Sequence, residues 1–328
     1  MLDDSTQKQY EMYLLENHYF VEEKEFEKTL KTIQDNDDKL LQFTILTHGD
    51  CNFRCKYCYE KFENITMSKE TEDTIIDFAR KQLDSGKFDN FSVNWFGGEP
   101  LLGYKTIQRL SAAFRDLCQQ RGIVYGASIT TNGYLLNLKV FHSLVVDNQV
   151  KSFQITIDGD EESHDSQRIL KNENQTYKRI IDYLKKMLET DLDFECRVRF
   201  NISKENYQNV INFLYKDGQL FRPDSRFSFA YHTVGDWRKG DRTNNYCIKL
   251  LDYDAGFELA ERAINEGFTV RSHEWRLNNA FTCYANRVNH YMFNVRGIIQ
   301  SCTVALYNKE NIFGNINIGF IDDTKLKK

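Results

Sequence analysis

From residue 40 onward, short apolar runs alternate with longer stretches whose apolar residues recur every three or four positions. The runs 43–46, 91–96, 127–131, 153–157, 194–202 and 227–231 have the length and the β-branched and aromatic content of strands. Between them, 68–83, 104–120, 138–146, 177–188 and 205–215 carry helical periodicity, the first opened by Ser68 as an N-cap. Six strands separated by helices predict parallel β/α units, which right-handed crossovers curl into a barrel or partial barrel; a doubly wound open sheet is the competing arrangement. Residues 7–33 also read as helical, with a break near 17–21, and form a preface that is either a solvated cap or a peptide-docking element. Alternation over 290–300 around Arg296-Gly297 predicts a β-hairpin.

The chain has 328 residues, 41% hydrophobic and 14% aromatic, enough for one large core and a smaller appendage. Pro100 and Pro223 are the only prolines and no low-complexity linker interrupts the chain. A polar, Gly-containing break near 235–242 divides it into a helical preface (1–39), a β/α unit (40–235) and a small C-terminal α+β part (236–328). A net charge of -5 and a pI near 5.9 argue against nucleic acid or an anionic membrane as main partner. No apolar run approaches the about 20 residues of a membrane helix, and the acidic start is unlike a signal peptide, so a cytoplasmic protein is expected. Eight cysteines, three of them on one loop, point to metal ligation in a reducing compartment.

Those three are Cys51, Cys55 and Cys58, spaced Cys-x3-Cys-x2-Cys after the first strand. Three soft ligands at one point suit an iron-sulfur cluster or a thiophilic metal, and a cluster with three cysteines leaves one iron open. A zinc knuckle is the alternative, although zinc sites usually pair two tight units and no second one exists here. Gly97-Gly98-Glu99-Pro100 follows the second strand, at the end where β/α barrels place active sites. The third strand ends in Thr130-Thr131-Asn132-Gly133. The fourth ends in Thr156-Ile157-Asp158-Gly159, followed by His164, Asp165 and Arg168. Each of these is also ordinary turn chemistry, with Arg168 free to pair Asp165. Alternation places Arg197, Arg199 and Asn201 on one face of the fifth strand, as a carboxylate grip or as a charged edge. Cys283 and Cys302 flank the hairpin, which would bring their thiols together, and could equally be structural; Cys118 and Cys196 read as buried small hydrophobes.

The loop Cys51-x3-Cys55-Lys56-Tyr57-Cys58 resembles the signature of radical S-adenosylmethionine (SAM) enzymes. That resemblance implies a partial (β/α)6 TIM-type barrel and a [4Fe-4S] cluster on Cys51, Cys55 and Cys58, with SAM on the fourth iron. It further implies Tyr57 near the adenine, Gly97, Gly98 and Glu99 on the methionyl ammonium, Thr156 near the ribose or carboxylate, and Asn132, Asp158 and Arg168 lining the cofactor cavity. Reductive cleavage would yield a 5'-deoxyadenosyl radical that abstracts hydrogen. No residue stands out as a catalytic acid or base. The pattern Cys283…Gly297…Cys302 resembles the opening of the SPASM/twitch extension, implying an auxiliary Fe-S cluster. A full extension continues with a cysteine-rich run that does not follow here, so a chain cut before its remaining ligands is expected, with Cys247 as a possible further ligand. Sulfatase maturases carry an aspartate where this chain has Thr303. The resemblance therefore leans toward maturases of ribosomal peptides that form thioether or C-C crosslinks. They act on a precursor peptide or protein and draw electrons from a flavodoxin or ferredoxin. A small-molecule radical SAM dehydrogenase or epimerase, and a non-catalytic Fe-S or zinc protein, are the alternatives.

Overall fold

Leu41, Phe43 and Ile45 are fully buried on one side of strand β1 (Leu40–Leu46), while Gln42, Thr44 and Leu46 face the other. The same alternation runs through β2 (Asn90–Phe96), β3 (Val124–Thr131), β4 (Val150–Thr156) and β5 (Glu195–Ile202), whereas β6 (Phe227–Thr233) is buried on both faces over its first five residues. A computed structural model describes residues 23–235, 254–271 and 283–322, and in it these strands pair in sequence order, all parallel. A doubly wound sheet would reverse its order at β1; this one does not, so the sheet is wound in one direction and left open.

Helices cover the face bearing the buried aliphatic and aromatic residues. They are α1 (Glu23–Asp38), α2 (Lys69–Leu83), α3 (Tyr104–Gln119), α4 (Leu138–Val146), α5 (Glu161–Gln167), α6 (Tyr177–Leu188), α7 (Tyr207–Tyr215) and α8 (Asp254–Asn265). Ser68 caps α2 by accepting the Thr71 N–H at 3.1 Å, as its sequence suggests. Helices α5 and α8 were not among the expected elements. α5 is a short polar run, Glu161-Glu162-Ser163-His164-Asp165-Ser166-Gln167, whose start is marked by the Asp160 cap on Ser163 N–H and by Glu161 and Glu162 in the first turn.

The opposite, inner face is polar, and its side chains on β2 to β5 are mostly half-buried where the outer ones are sealed. Tyr59 shows that the sheet curls around this face. It lies within electrostatic reach of both Arg199 on β5 and Tyr284, a few residues before β7. Five strand spacings of about 4.8 Å would hold β5 and β7 about 24 Å apart in a flat sheet.

The hairpin of 290–300 forms as β7 (His290–Phe293) and β8 (Ile298–Gln300), with Met292 opposite Gln300. β7 then joins β1 in parallel, Gln42 opposite His290, and β9 (Ile312–Asn315) and β10 (Phe320–Ile321) extend the same sheet antiparallel. Phe43 anchors this junction, its ring 4.9 Å from Phe91 and 5.0 Å from Phe293, both edge-on.

On the inner side of the junction Thr44 Oγ1 and His290 Nε2 lie 3.0 Å apart, and His290 is buried. Burial, with Arg287 nearby, pushes His290 down to about 3. The fold therefore holds this imidazole neutral, whereas the unfolded chain takes up a proton below about 6.5. Its contribution is complete above that pH and is lost as pH falls toward 3. Unfolding in urea at pH 7 and pH 5 should show about 2 kcal/mol of stability disappearing through this group. His290→Gln should lose correspondingly less between the two pH values, and an unchanged pH dependence would remove the assignment.

Candidate active site

The loop leaving β1 is held by its own side chains. Asp50 accepts the Cys51 N–H at 2.8 Å and the Arg54 guanidinium at 2.8 Å, and it is ion-paired to Lys171. Arg54 also donates to the carbonyls of Cys51 at 2.6 Å and Phe53 at 2.7 Å. A strap from α5 pairs antiparallel with the loop: Arg54 N–H donates to the Ile169 carbonyl, Lys56 N–H to Gln167, and Lys171 N–H to Asn52. Cys51, Cys55 and Cys58 are in no disulfide. The Cys51 sulfur accepts the Phe53 N–H at 3.3 Å and the Asn132 side-chain amide at 3.6 Å. Burial, then Glu99, then the neighbouring Cys55 and Cys58 push the Cys51 thiol up, so three thiolates here call for a shared cation. N–H groups aimed at a buried thiol and mutual repulsion among three thiols fit an iron-sulfur cluster. Among the described residues no three His, Cys, Asp or Glu converge on one ion-sized point, and in a cluster each thiolate takes its own iron.

Gly97 and Gly98 have φ of +84° and +49°. A Cβ on Gly98 would stand 2.3 Å from the Asp50 carbonyl oxygen, which itself accepts the Glu99 N–H at 3.2 Å. Only glycine lets the β2 loop lie against the cysteine loop. Glu60 reaches the Gly98 N–H at 2.8 Å. The Glu99 carboxylate is fully buried among protein donors. It accepts Leu101 N–H at 3.0 Å, Thr131 Oγ1 at 2.7 Å and Asn132 N–H at 2.8 Å, clamping the β2 loop to the end of β3. That clamp presents the Asn132 amide to Cys51.

Tyr57, expected near the adenine, is the hub of a hydrogen-bonded group. Its hydroxyl donates to Asp158 Oδ2 and accepts from Arg168 at 2.6 Å and Asn201 Nδ2 at 2.9 Å. Asp158 Oδ1 also accepts the Asn201 N–H at 3.1 Å, with Arg168 3.8 Å from its other oxygen. Burial raises Asp158 and the Arg168 charge opposes it. Arg168 thus pairs Asp158, not Asp165, which accepts the N–H groups of Thr176 and Tyr177 at 2.8 Å. Thr156 is buried at the end of β4, opposite Arg199. Asp50 and Lys171 were not expected at the site; they are 121 residues apart, and no local pattern joins them.

Cys283 is exposed and Cys302 half-buried, both free, beyond the His290 end of the hairpin. The following residues meet: Tyr284 and Thr303 hydroxyls are 2.6 Å apart, and Asn311 accepts the Cys302 N–H at 2.9 Å. Cys247 lies outside the described residues.

The family model of the radical SAM superfamily matches residues 45–214, spanning all three thiols and the loops after β2 to β5. A serine-type anaerobic sulfatase-maturating enzyme of Klebsiella aerogenes is 23% identical over 155 residues, 45% of this chain and 36% of that one. The radical SAM cyclopropyl synthase TigE of Paramaledivibacter caminithermalis is 24% identical over 131 residues, 36% of this chain and 27% of that one. The chain thus aligns with about a third of the length of these curated relatives. Among solved structures, native anSMEcpe with bound AdoMet and Kp18Cys peptide superposes with a TM-score of 0.69 at 17% identity, covering 88% of this chain and 80% of that one. Streptococcus suis SuiB bound to precursor peptide SuiA gives 0.64 at 15% identity, covering 98% and 77%. At such identities the likeness is one of fold.

Proposed function

The chain belongs to the radical SAM superfamily, and on that footing we propose that it binds SAM at a [4Fe-4S] cluster on Cys51, Cys55 and Cys58 and abstracts hydrogen from a residue of a peptide or protein. When bound, cluster and SAM together supply one-electron cleavage of the sulfonium and a 5'-deoxyadenosyl radical. The residues of the chain do the positioning. The N–H groups of Phe53 and Asn132 share the charge on the Cys51 sulfur. The Gly97-Gly98 backbone offers carbonyls to an ammonium, and Glu99 keeps that backbone and Asn132 in place. Tyr57, Asp158, Arg168 and Asn201 form a rigid wall beside the loop, and Thr156 adds a hydroxyl. Cys283 and Cys302 are proposed to help hold an auxiliary Fe-S cluster, and a flavodoxin or ferredoxin in the cytoplasm to supply electrons. Among the described residues no helix is long and apolar enough to cross a membrane.

The observation that carries this reading is three thiols on one strapped loop, with N–H donors already aimed at Cys51 and a glycine turn packed against it. For the substrate, support comes from peptides bound to two neighbours of the same fold, Kp18Cys and SuiA. The residue after Cys302 is Thr303, its hydroxyl bonded to Tyr284, so the acidic base of a sulfatase maturase is not in that place. We therefore propose ribosomal-peptide maturation by thioether or C-C crosslinking in preference to sulfatase maturation.

The test is anaerobic reconstitution with iron and sulfide, then dithionite and SAM. Deoxyadenosine should form, and a short peptide encoded beside the gene should change in mass in the same reaction. A cluster-loaded protein that makes no deoxyadenosine would leave a non-catalytic Fe-S protein instead.

A further inference from the structure

Alternation puts Thr44 of β1, Asn94 of β2, Ser128 of β3 and Gln154 of β4 on the inner face, all uncharged, whereas β5 puts Arg197 and Arg199 there, one pleat repeat apart. Among the described residues the inward positions of β1 to β7 carry one carboxylate, Glu195. It stands at the first position of β5 and is ion-paired to Arg271. A chain of net charge -5 thus encloses a positively charged wall. Low-dielectric surroundings focus such a field on whatever enters.

Arg199 has the character of a group awaiting an anion. It keeps part of its surface open to the inner face although protein surrounds it, and burial disfavours its charge. Its Nε donates to Asn201 Oδ1 at 2.9 Å, and among the described residues no carboxylate stands within ion-pair distance of it. Asn201 in turn binds Tyr57, so the guanidinium sits next to the wall beside the cysteine loop. Asp158, already bonded to Tyr57 and Arg168, supports the Arg199 charge only from a distance. A largely buried cation with no carboxylate in direct contact is costly, and a planar fork matched to a carboxylate relieves that cost with two parallel hydrogen bonds.

We infer that Arg199 is the anchor for a carboxylate of the substrate, so that the peptide taken by this enzyme carries an aspartate, glutamate or free C-terminus close to the residue that loses hydrogen. The inference rests on the radical SAM reading of the same site. The methionyl carboxylate of SAM is the other source of this chemistry, and two measurements on cluster-loaded protein without reductant separate them. The first is anaerobic affinity selection, with SAM present, between two heptapeptide libraries that differ only in a central glutamate or glutamine. Wild type should retain the glutamate library roughly tenfold better or more, Arg199→Gln should abolish that preference, and Arg199→Lys should keep a weakened one. The second is calorimetric titration with SAM, whose dissociation constant should rise by less than about threefold in Arg199→Gln.

A wild type that does not distinguish the libraries overturns the inference, as does a preference that survives Arg199→Gln. A SAM dissociation constant raised more than about tenfold, with the preference intact, assigns the arginine to the cofactor and also overturns it. Should Arg199→Gln fail to load the cluster, Arg199→Lys decides, and it must cut the preference. No outcome depends on deoxyadenosine formation, so failure of the radical SAM reading shows separately.

Discussion

Replacing Cys55 by alanine is expected to reduce deoxyadenosine formation to the level of a protein-free blank while leaving the fold intact. Cys55 is half-buried on the loop, and its backbone carbonyl, which alanine retains, accepts the Cys58 N–H at 3.1 Å. Burial pushes its thiol up, so without a metal it is held as a neutral, modest hydrophobe. Truncating it should cost about 1 kcal/mol or less of stability and little in thermal midpoint. The loss falls instead on the cluster, which would keep two thiolates of three, so iron and sulfide content should drop with activity. Cys118→Ala is the matching control. Cys118 is buried in the core, held up to about 11 by burial, and remote from the loop. That variant should lose about 1 kcal/mol of stability and keep deoxyadenosine formation. Activity persisting in Cys55→Ala at the wild-type level would remove the cluster from this loop.

The alternation of strand and helix was legible because each unit carries its own period. Phe43 and Ile45 against Gln42 and Thr44, and the apolar stripe of 177–188, state their faces without reference to the rest of the chain. The cysteine loop was equally local. What could not be read were pairings across large separations. The hairpin of 290–300 announces two strands, but nothing in it says that His290 will meet Thr44, 246 residues away, and add the hairpin to the edge of β1. Glu99 shows the limit at the site. A carboxylate after two glycines says nothing of which protein groups will hold it. Only the fold reveals that Thr131 and Asn132 arrive to take it. Arg168 fails for the same reason: Asp165 is three residues away and is committed to the start of α6, whereas Asp158 is brought in by the turn after β4. Local sequence proposes a partner, and the tertiary fold decides which neighbour wins.

Gly98→Ala is the second large effect, and it should damage the site and the fold together. At φ +49° alanine pays the left-handed penalty, about 1 kcal/mol. Its Cβ would also stand 2.3 Å from the Asp50 carbonyl oxygen and 2.8 Å from the carbonyl carbon, backbone atoms that cannot rotate away. Moving either loop breaks the Glu99 N–H bond to that carbonyl and disturbs Asp50, which holds Cys51, Arg54 and Lys171. Strain and lost contacts together should cost about 2–4 kcal/mol in urea unfolding. Cluster content and SAM affinity should fall with it, since the glycine turn and the cysteine loop are displaced as a pair. Gly86→Ala separates the two causes. Gly86 has a similar φ of +68°, but nothing lies within 4 Å of its would-be Cβ, so only the backbone penalty of about 1 kcal/mol applies and the cluster should load normally. If Gly98→Ala is no worse than Gly86→Ala, the two loops are not in the close contact seen here. The glycine is then needed for its turn alone, not to bring the β2 backbone up to the thiols.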